Sequence, residues 1–375
     1  MKFNLTPHHL NKIMLYCIYM RNAILAFVLI GGLSWGFYIL NGSVIQPRTE
    51  DQFTGERADT SVNGTGQISA LAKDSNKNGS LVFGGDIMLA RSVESYARVN
   101  GGWSQVMSQI SSSFSQTDCR VANLESPFVS NKKQTETGSL VFAAKPEAVA
   151  VLTSSKITAV SLANNHITDQ GATGLNETQK ILKENNIAYG GAGASREAAL
   201  APQTIQCGQL KVGLIFASYG TNFGAEGVVV ATLEDITPSI TEAEKKYDIV
   251  VVFAHWGGEY QAVSSPFQKE MAYQYIDAGA DLVIGSHPHV IQPIEIYKNK
   301  LIAYSLGNLV FDQASSGEKT EAILLKVQYE DKDINTSIIP IKIQKYFQPT
   351  PVSPASSGNY LKRLNQANWE FSLPR

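Results

Sequence analysis

Cysteine is scarce in this chain: three in 375 residues, with no CxxC pair. That excludes a disulfide-dense scaffold and a cysteine-rich zinc module. Cys119 and Cys207 read as two isolated buried thiols, with pairing left open to an exported chain. Charge is sparse as well, at 17% of residues with a net of −2. With neither a basic stripe nor a basic domain, a dedicated nucleic-acid binder is excluded, and no nucleic-acid partner is expected. There is no internal repeat. Histidine is limited to six, so the places where histidines fall carry information.

Long apolar runs are also rare. The one that stands out is "NAILAFVLIGGLSWGFYIL" (22–40), which holds no charge. About twenty apolar residues cross a bilayer core as a helix. Lys2, Lys12 and Arg21 precede the run with no acid among them, while Glu50 and Asp51 follow it. The positive-inside bias then makes 1–21 cytoplasmic and 22–41 a single transmembrane signal anchor in the lipid bilayer, with the remainder outside the cell membrane. Residues 42–79 are rich in Gly, Ser, Asn and Thr and read as a flexible stalk. Residues 346–375, with "FQPTPVSPASSGN", read as a linker and tail.

Between these ends, 80–345 alternates short β-rich runs with helical patterns. The strands predicted are "SLVFGG" (80–85), "CRVANL" (119–124), "ITAVSLA" (157–163), "KVGLIFAS" (211–218), "DIVVVFAH" (248–255) and "DLVIGS" (281–286). Helices are predicted over 174–186 and 265–279. Beyond residue 290 the pattern turns to strands alone, with "YKNK" as a hairpin turn. An α/β domain with both sheet faces covered follows, with two packed sheets as the arrangement expected.

The polar residues collect where these strands end, which is where open α/β sheets bind ligands. "SLVFGGD" ends at Asp86 and "CRVANLE" at Asn123 and Glu125. "AVSLANNH" ends at Asn164, Asn165 and His166, with Asp169 just beyond. "VVVFAHWGGEY" ends at His255 and Glu259, and "DLVIGSHPH" at His287 and His289. Four of the six histidines occupy these places. In an extended segment, residues two apart point to one side, and Pro288 stiffens the link, so His287 and His289 are expected to face one small volume. Imidazole with carboxylate suits Zn, Mn or Fe, and a pair of such ions polarises a phosphoryl or acyl oxygen. "YGGAGAS" (189–195) lacks the strand–GxGxxG–helix order and reads as a plain turn.

Taken in order, "GDIML", "NLESP", "LANNHITDQG", "HWGGEY", "GSHPHVIQ" and "YSLGNLVFD" resemble the poly-γ-glutamate capsule synthesis (CapA-type) family over 80–345, a branch similar to the calcineurin-like metallophosphoesterases. The resemblance implies a four-layer α/β/β/α sandwich with a metal centre at one sheet edge. It also implies a bacterial envelope protein that partners membrane-embedded synthase or export subunits and an anionic polyglutamate-like polymer. Its metal ligands would be Asp86, Glu125, Asn165, His255, His287 and His289, holding one or two divalent ions (Mn, Zn or Fe). His166 would be the catalytic acid, oriented by Asp169, while Arg91 and Asn308 would hold an anionic substrate. One position departs from the pattern: Met88 stands where the superfamily has a histidine, and a thioether is a poor ligand for hard ions. One tight site beside a weak or empty one is the expectation. Two functions remain open: a metal-dependent phosphoesterase or amidase, and a non-catalytic, metal-stabilised scaffold of the polymer machinery.

Overall fold

The computed structural model describes residues 77–364 apart from 116, 132–139, 220–224, 314–316, 331–332 and 354–355. Ahead of them it describes only the strand pieces Tyr38–Leu40, Ser43–Ile45 and Gln67–Ile68. The expected cytoplasmic segment 1–21, most of the span 22–41 and most of the stalk 42–79 lie outside the described residues. Tyr38–Leu40, at the end of that span, is strand rather than helix. Among the described residues no helix is long and apolar enough to cross a membrane.

The chain first lays down four parallel neighbours: β1 (Gly79–Ile87), β2 (Cys119–Leu124), β3 (Ala159–Ser161) and β4 (Ala188–Gly190). It then builds a second sheet from β5 (Gln203–Cys207), β6 (Leu210–Ser218), β7 (Ile249–His255), β8 (Leu282–Ser286), β9 (Ile294–Tyr297) and β10 (Lys300–Ala303). In that sheet β6, β7, β8 and β10 run parallel, and β5 and β9 are antiparallel edges. Finally the chain returns to the first sheet with β11 (Asn308–Val310), β12 (Glu321–Glu330), β13 (Asp333–Gln344) and β14 (Gln348–Pro351). The central strands β2, β7 and β8 are buried at every residue. That explains why β7 and β8 read as nearly continuous apolar runs and not as alternating ones.

One continuous apolar cluster joins the sheets. It takes Leu81, Phe83 and Val121 from the first and Phe216, Phe253 and Ile284 from the second. Helices α1 (Arg91–Val99) and α2 (Gly171–Glu184) add Val93, Ala97, Leu175 and Leu182 to it. A separate cluster covers the second sheet with α3 (Thr237–Glu244) and α4 (Pro266–Asp277), through Ile240, Ala243, Ala272 and Tyr275 packed on Val250, Val252 and Val283. Ser265 and Gln268 close a capping box at the start of α4, satisfying backbone donors that would otherwise lack partners. The mixed α/β class is therefore as expected, and Lys298 and Asn299 make the predicted hairpin turn, both with positive φ.

Two expectations need correction. Cys119 and Cys207 are not free thiols: they form a disulfide between the start of β2 and the end of β5, tying the two sheets together. Eighty-eight residues separate them in sequence, so only the stacking of the sheets brings them into reach. Residues 346–375 are not simply a tail either. Strand β14 pairs with β13, and Tyr360 and Leu364 are buried in the main cluster. Pro349 and Pro351 are tolerated because β14 is an edge strand, where a missing N–H breaks no ladder.

Candidate metal centre

The disulfide joins the start of β2 to the end of β5, which pairs beside the amino end of β6, so the parallel strands of both sheets finish at the other end, and the polar residues gather there. Asp86 sits at an irregularity of β1, where pairing with β2 slips between Phe83 and Asp86. Gly85 makes this possible. A Cβ on it would lie 1.8 Å from the Gly307 carbonyl oxygen, so only glycine lets β1 approach that turn. Glu125 follows β2 directly, and its N–H donates to the Ile87 carbonyl at 2.8 Å. His255 ends β7, while His287 and His289 follow β8.

Ligand atoms of Asp86, Glu125 and His255 lie within 4.8 Å of one another, and all three residues are buried. His289 joins them, with Nδ1 3.4 Å from Asp86 Oδ2 and Nε2 3.8 Å from Glu125 Oε1. The His287 ring lies 4.6 Å from that of His255, and its backbone N–H donates to Asp86 Oδ2 at 3.1 Å. Asn165 Oδ1 is 2.8 Å from His255 Nε2. All six expected ligands therefore converge, three from each sheet.

The route by which His287 and His289 converge differs from the expected one. The segment is not extended: their φ angles are +95° and +57°, in the left-handed region that non-glycine residues rarely adopt. Such backbone survives only where its surroundings enforce it. Here Asp86 takes the His287 N–H, Asn308 takes the His289 ring, and Tyr260 N–H donates to the Pro288 carbonyl at 2.8 Å.

The donor set fits a divalent cation. Glu125 is fully buried, yet neither carboxylate oxygen has a hydrogen-bond partner among the described residues. A buried carboxylate in that state is costly unless it coordinates a metal or takes up a proton. Burial and the neighbouring Asp86 push Glu125 well above the ordinary glutamate range. Burial works to raise Asp86 too, but its hydrogen bond to His289 and the charges of His289 and His255 outweigh it and hold it below the ordinary aspartate range. The two shifts run in opposite directions, so Glu125 is the member of the pair that holds a proton to the higher pH. Burial and the charge of His287 hold His255 well below the usual histidine value, and burial with the charge of His289 brings His287 down to about 4. Neutral imidazole is the ligand form.

Neighbouring amides orient the donors. Asn123 Nδ2 donates to Asp86 Oδ1 at 2.8 Å, and Asn123 Oδ1 accepts from Asn164 Nδ2 at 3.0 Å. Asn164 Oδ1 in turn accepts the His166 N–H. The sequence marked Asn123 and Asn164 only as strand-end residues. Their places at and just beyond the ends of adjacent parallel strands were the available signal. Asn308 is buried, with Nδ2 donating to the Lys319 carbonyl at 3.0 Å and to Gln313 at 3.1 Å, which leaves Oδ1 to face His289 Nδ1 at 2.9 Å. This fixes the His289 proton on Nδ1 and turns Nε2 toward Glu125, an orienting role of the kind that tunes metal ligands. Arg91 is largely buried in an ion pair with Asp312, its guanidinium 4.8 Å from the centre of the Phe142 ring. His166 Nδ1 is 2.8 Å from Asp169 Oδ2, and its Nε2 is 3.9 Å from Glu125 Oε1. Met88 is fully buried, and its sulfur accepts from the Ala90 N–H at 3.1 Å.

Comparison with known proteins gives the family. The bacterial capsule synthesis protein PGA_cap family matches residues 80–313. The chain is 32% identical to the capsule biosynthesis protein CapA of Bacillus anthracis, over 82% of this chain and 77% of that one. It is 36% identical to the PGA biosynthesis protein CapA of Bacillus subtilis (strain 168), over 72% and 73%. Among solved structures, a phosphatase from Mycoplasma pneumoniae aligns with a TM-score of 0.47 and 12% identity, covering 76% of this chain and 96% of that one. From the extent of the family match and of the two Bacillus relatives, the chain belongs to the bacterial capsule synthesis protein PGA_cap family.

Proposed function

We propose that the protein is a membrane-anchored, extracytoplasmic component of poly-γ-glutamate biosynthesis or export, with a metallophosphoesterase-like centre that hydrolyses a phosphoester or amide. The Bacillus relatives carry the capsule and PGA names. The Cys119–Cys207 disulfide supports an oxidising compartment, and the apolar run 22–40 behind three basic residues supports the anchor. The partners that follow are the membrane-embedded synthase or export subunits and the anionic polymer.

Asp86, Glu125 and His255 would hold the cation, with His287, His289 and Asn165 completing the donors. When bound, a divalent ion supplies Lewis-acid polarisation of a phosphoryl or carbonyl oxygen and acidifies water. The chain's own part is proton control. Asp169, an acceptor-only carboxylate, keeps the His166 proton on Nδ1 and would stabilise the imidazolium, whose Nε2–H is then the donor for a leaving group. Arg91, anchored by Asp312, is the cation assigned to an anionic substrate, and Asn308 contributes through His289.

The observation that carries the hydrolase reading is the Asp169–His166 pair: an imidazole beside the cage, fixed at one nitrogen and not needed to hold a metal. The test is His166→Ala in the full chain, assayed on bis(p-nitrophenyl) phosphate with Mn(II). Metal content should be retained while turnover falls by about 10²–10⁴-fold, the usual worth of a general acid. Polymer production unchanged by that substitution, with no turnover in the parent protein, would instead favour the scaffold role.

A further inference from the structure

His166 is held from more than one side. Besides Asp169, it meets Phe142, whose ring stacks on the imidazole with centroids 3.8 Å apart and planes 24° from parallel. Phe142 is 2% exposed. Its backbone N–H donates to Asp169 Oδ2 at 2.6 Å, the same oxygen that meets His166 Nδ1 at 2.8 Å. Its carbonyl accepts from Gln170 Nε2 at 3.0 Å. Phe142 therefore touches the imidazole directly and also fixes the carboxylate that orients it.

The segment carrying Phe142 is itself anchored. Val129 N–H donates to the Ala144 carbonyl at 2.9 Å, and Ala144 N–H donates to the Pro127 carbonyl at 2.8 Å. Phe128 N–H donates to Thr178 on α2 at 2.8 Å. Pro127 lies two residues past Glu125, so the stretch that begins "NLESP" supplies both the buried carboxylate and the mount for the ring. Arg91 lies over Phe142, and the ring meets Phe311 edge-on at 6.0 Å.

We propose that Phe142 is a positioning residue for His166: it confines the imidazole to the one orientation in which Nδ1 meets Asp169 and Nε2 faces Glu125, and Arg91 backs the ring. The acid role of His166 rests on the hydrolase reading above, but the orientation does not. An aliphatic residue such as leucine would fill much of the space without offering a flat face to the imidazole, so planarity is what the stacking uses. Misplacing a reacting group by about 1 Å costs on the order of 10²-fold in rate.

The experiment uses full-length Phe142→Leu and Phe142→Tyr, with Gln170→Ala as a milder variant should Phe142→Leu fail to fold. The first readout is the downfield proton NMR signal of the His166 Nδ1–H, assigned by its loss in His166→Gln. It should be sharp in the parent protein, lost to solvent exchange in Phe142→Leu, weakened in Gln170→Ala and restored in Phe142→Tyr. The second readout is turnover of bis(p-nitrophenyl) phosphate with Mn(II), where kcat should fall about 10–100-fold in Phe142→Leu with KM and metal content unchanged. A His166 signal unaltered in both Phe142→Leu and Gln170→Ala would overturn the proposal. Absence of turnover in the parent protein would count against the hydrolase reading alone, because the NMR signal still decides the role of Phe142.

Discussion

Glu125 is the residue on which the centre turns. Its carboxyl is buried, lacks a hydrogen-bond partner among the described residues, and faces Asp86. Because its folded value is raised, the metal-free protein gains stability from a protonated Glu125 at low pH and loses it as pH rises from the ordinary glutamate value of 4.5 through the raised one. A cation removes that loss by taking the proton's place. Metal binding should therefore release close to one proton at pH values below the raised value. Titration calorimetry in buffers of different ionisation enthalpy would measure it, and Glu125→Gln should abolish the release together with most of the affinity. His287, brought down to about 4, should not compete for protons until well below neutral pH. At this scale the sequence was informative: the six candidate ligand positions were readable because each lies at or just beyond a strand end, and the fold brings them together. It did not reveal that His287 and His289 need positive φ, since that comes from Asp86, Asn308 and Tyr260 closing on them from elsewhere in the chain.

At the scale of elements, each sheet brings three of the six candidate donors, so their convergence depends on how the sheets stack. The stacking is held by the shared apolar cluster and, at the far end, by the Cys119–Cys207 disulfide. A disulfide is typically worth about 2–4 kcal/mol. Cys119→Ser with Cys207→Ser should lower unfolding stability by that order in chemical denaturation, and the parent protein should show the same fall under reductant. Stability unchanged in both would mean that the core alone sets the stacking. Strand β2 was legible to the residue, and β7 and β8 to within one residue, because strands covered on both faces are mostly apolar. By contrast β3 shrank from the seven residues of "ITAVSLA" to Ala159–Ser161, since only those pair with neighbours on both sides. The disulfide was not legible, because two cysteines 88 residues apart meet only through the tertiary fold.

For the whole molecule, the composition excluded more than it identified, and the family emerged from six motifs in order. The span 22–41 and the stalk remain a proposal from charge and apolar length, now supported by a disulfide suited to an exported domain. The domain also extends further than its apolar core suggested, with β14, Tyr360 and Leu364 folded back onto it. Proline-rich text hid this, because an edge strand accepts prolines that a central one would not. The central claim is that two stacked sheets build one buried divalent-metal centre. It is tested most directly by measuring the metal content and affinity of the purified full-length protein for Mn(II) and Zn(II), beside Glu125→Gln and His255→Ala. Near-stoichiometric metal, lost in both variants while their folds persist, is the result expected. Metal absent from the parent protein, or retained equally in both variants, would contradict it.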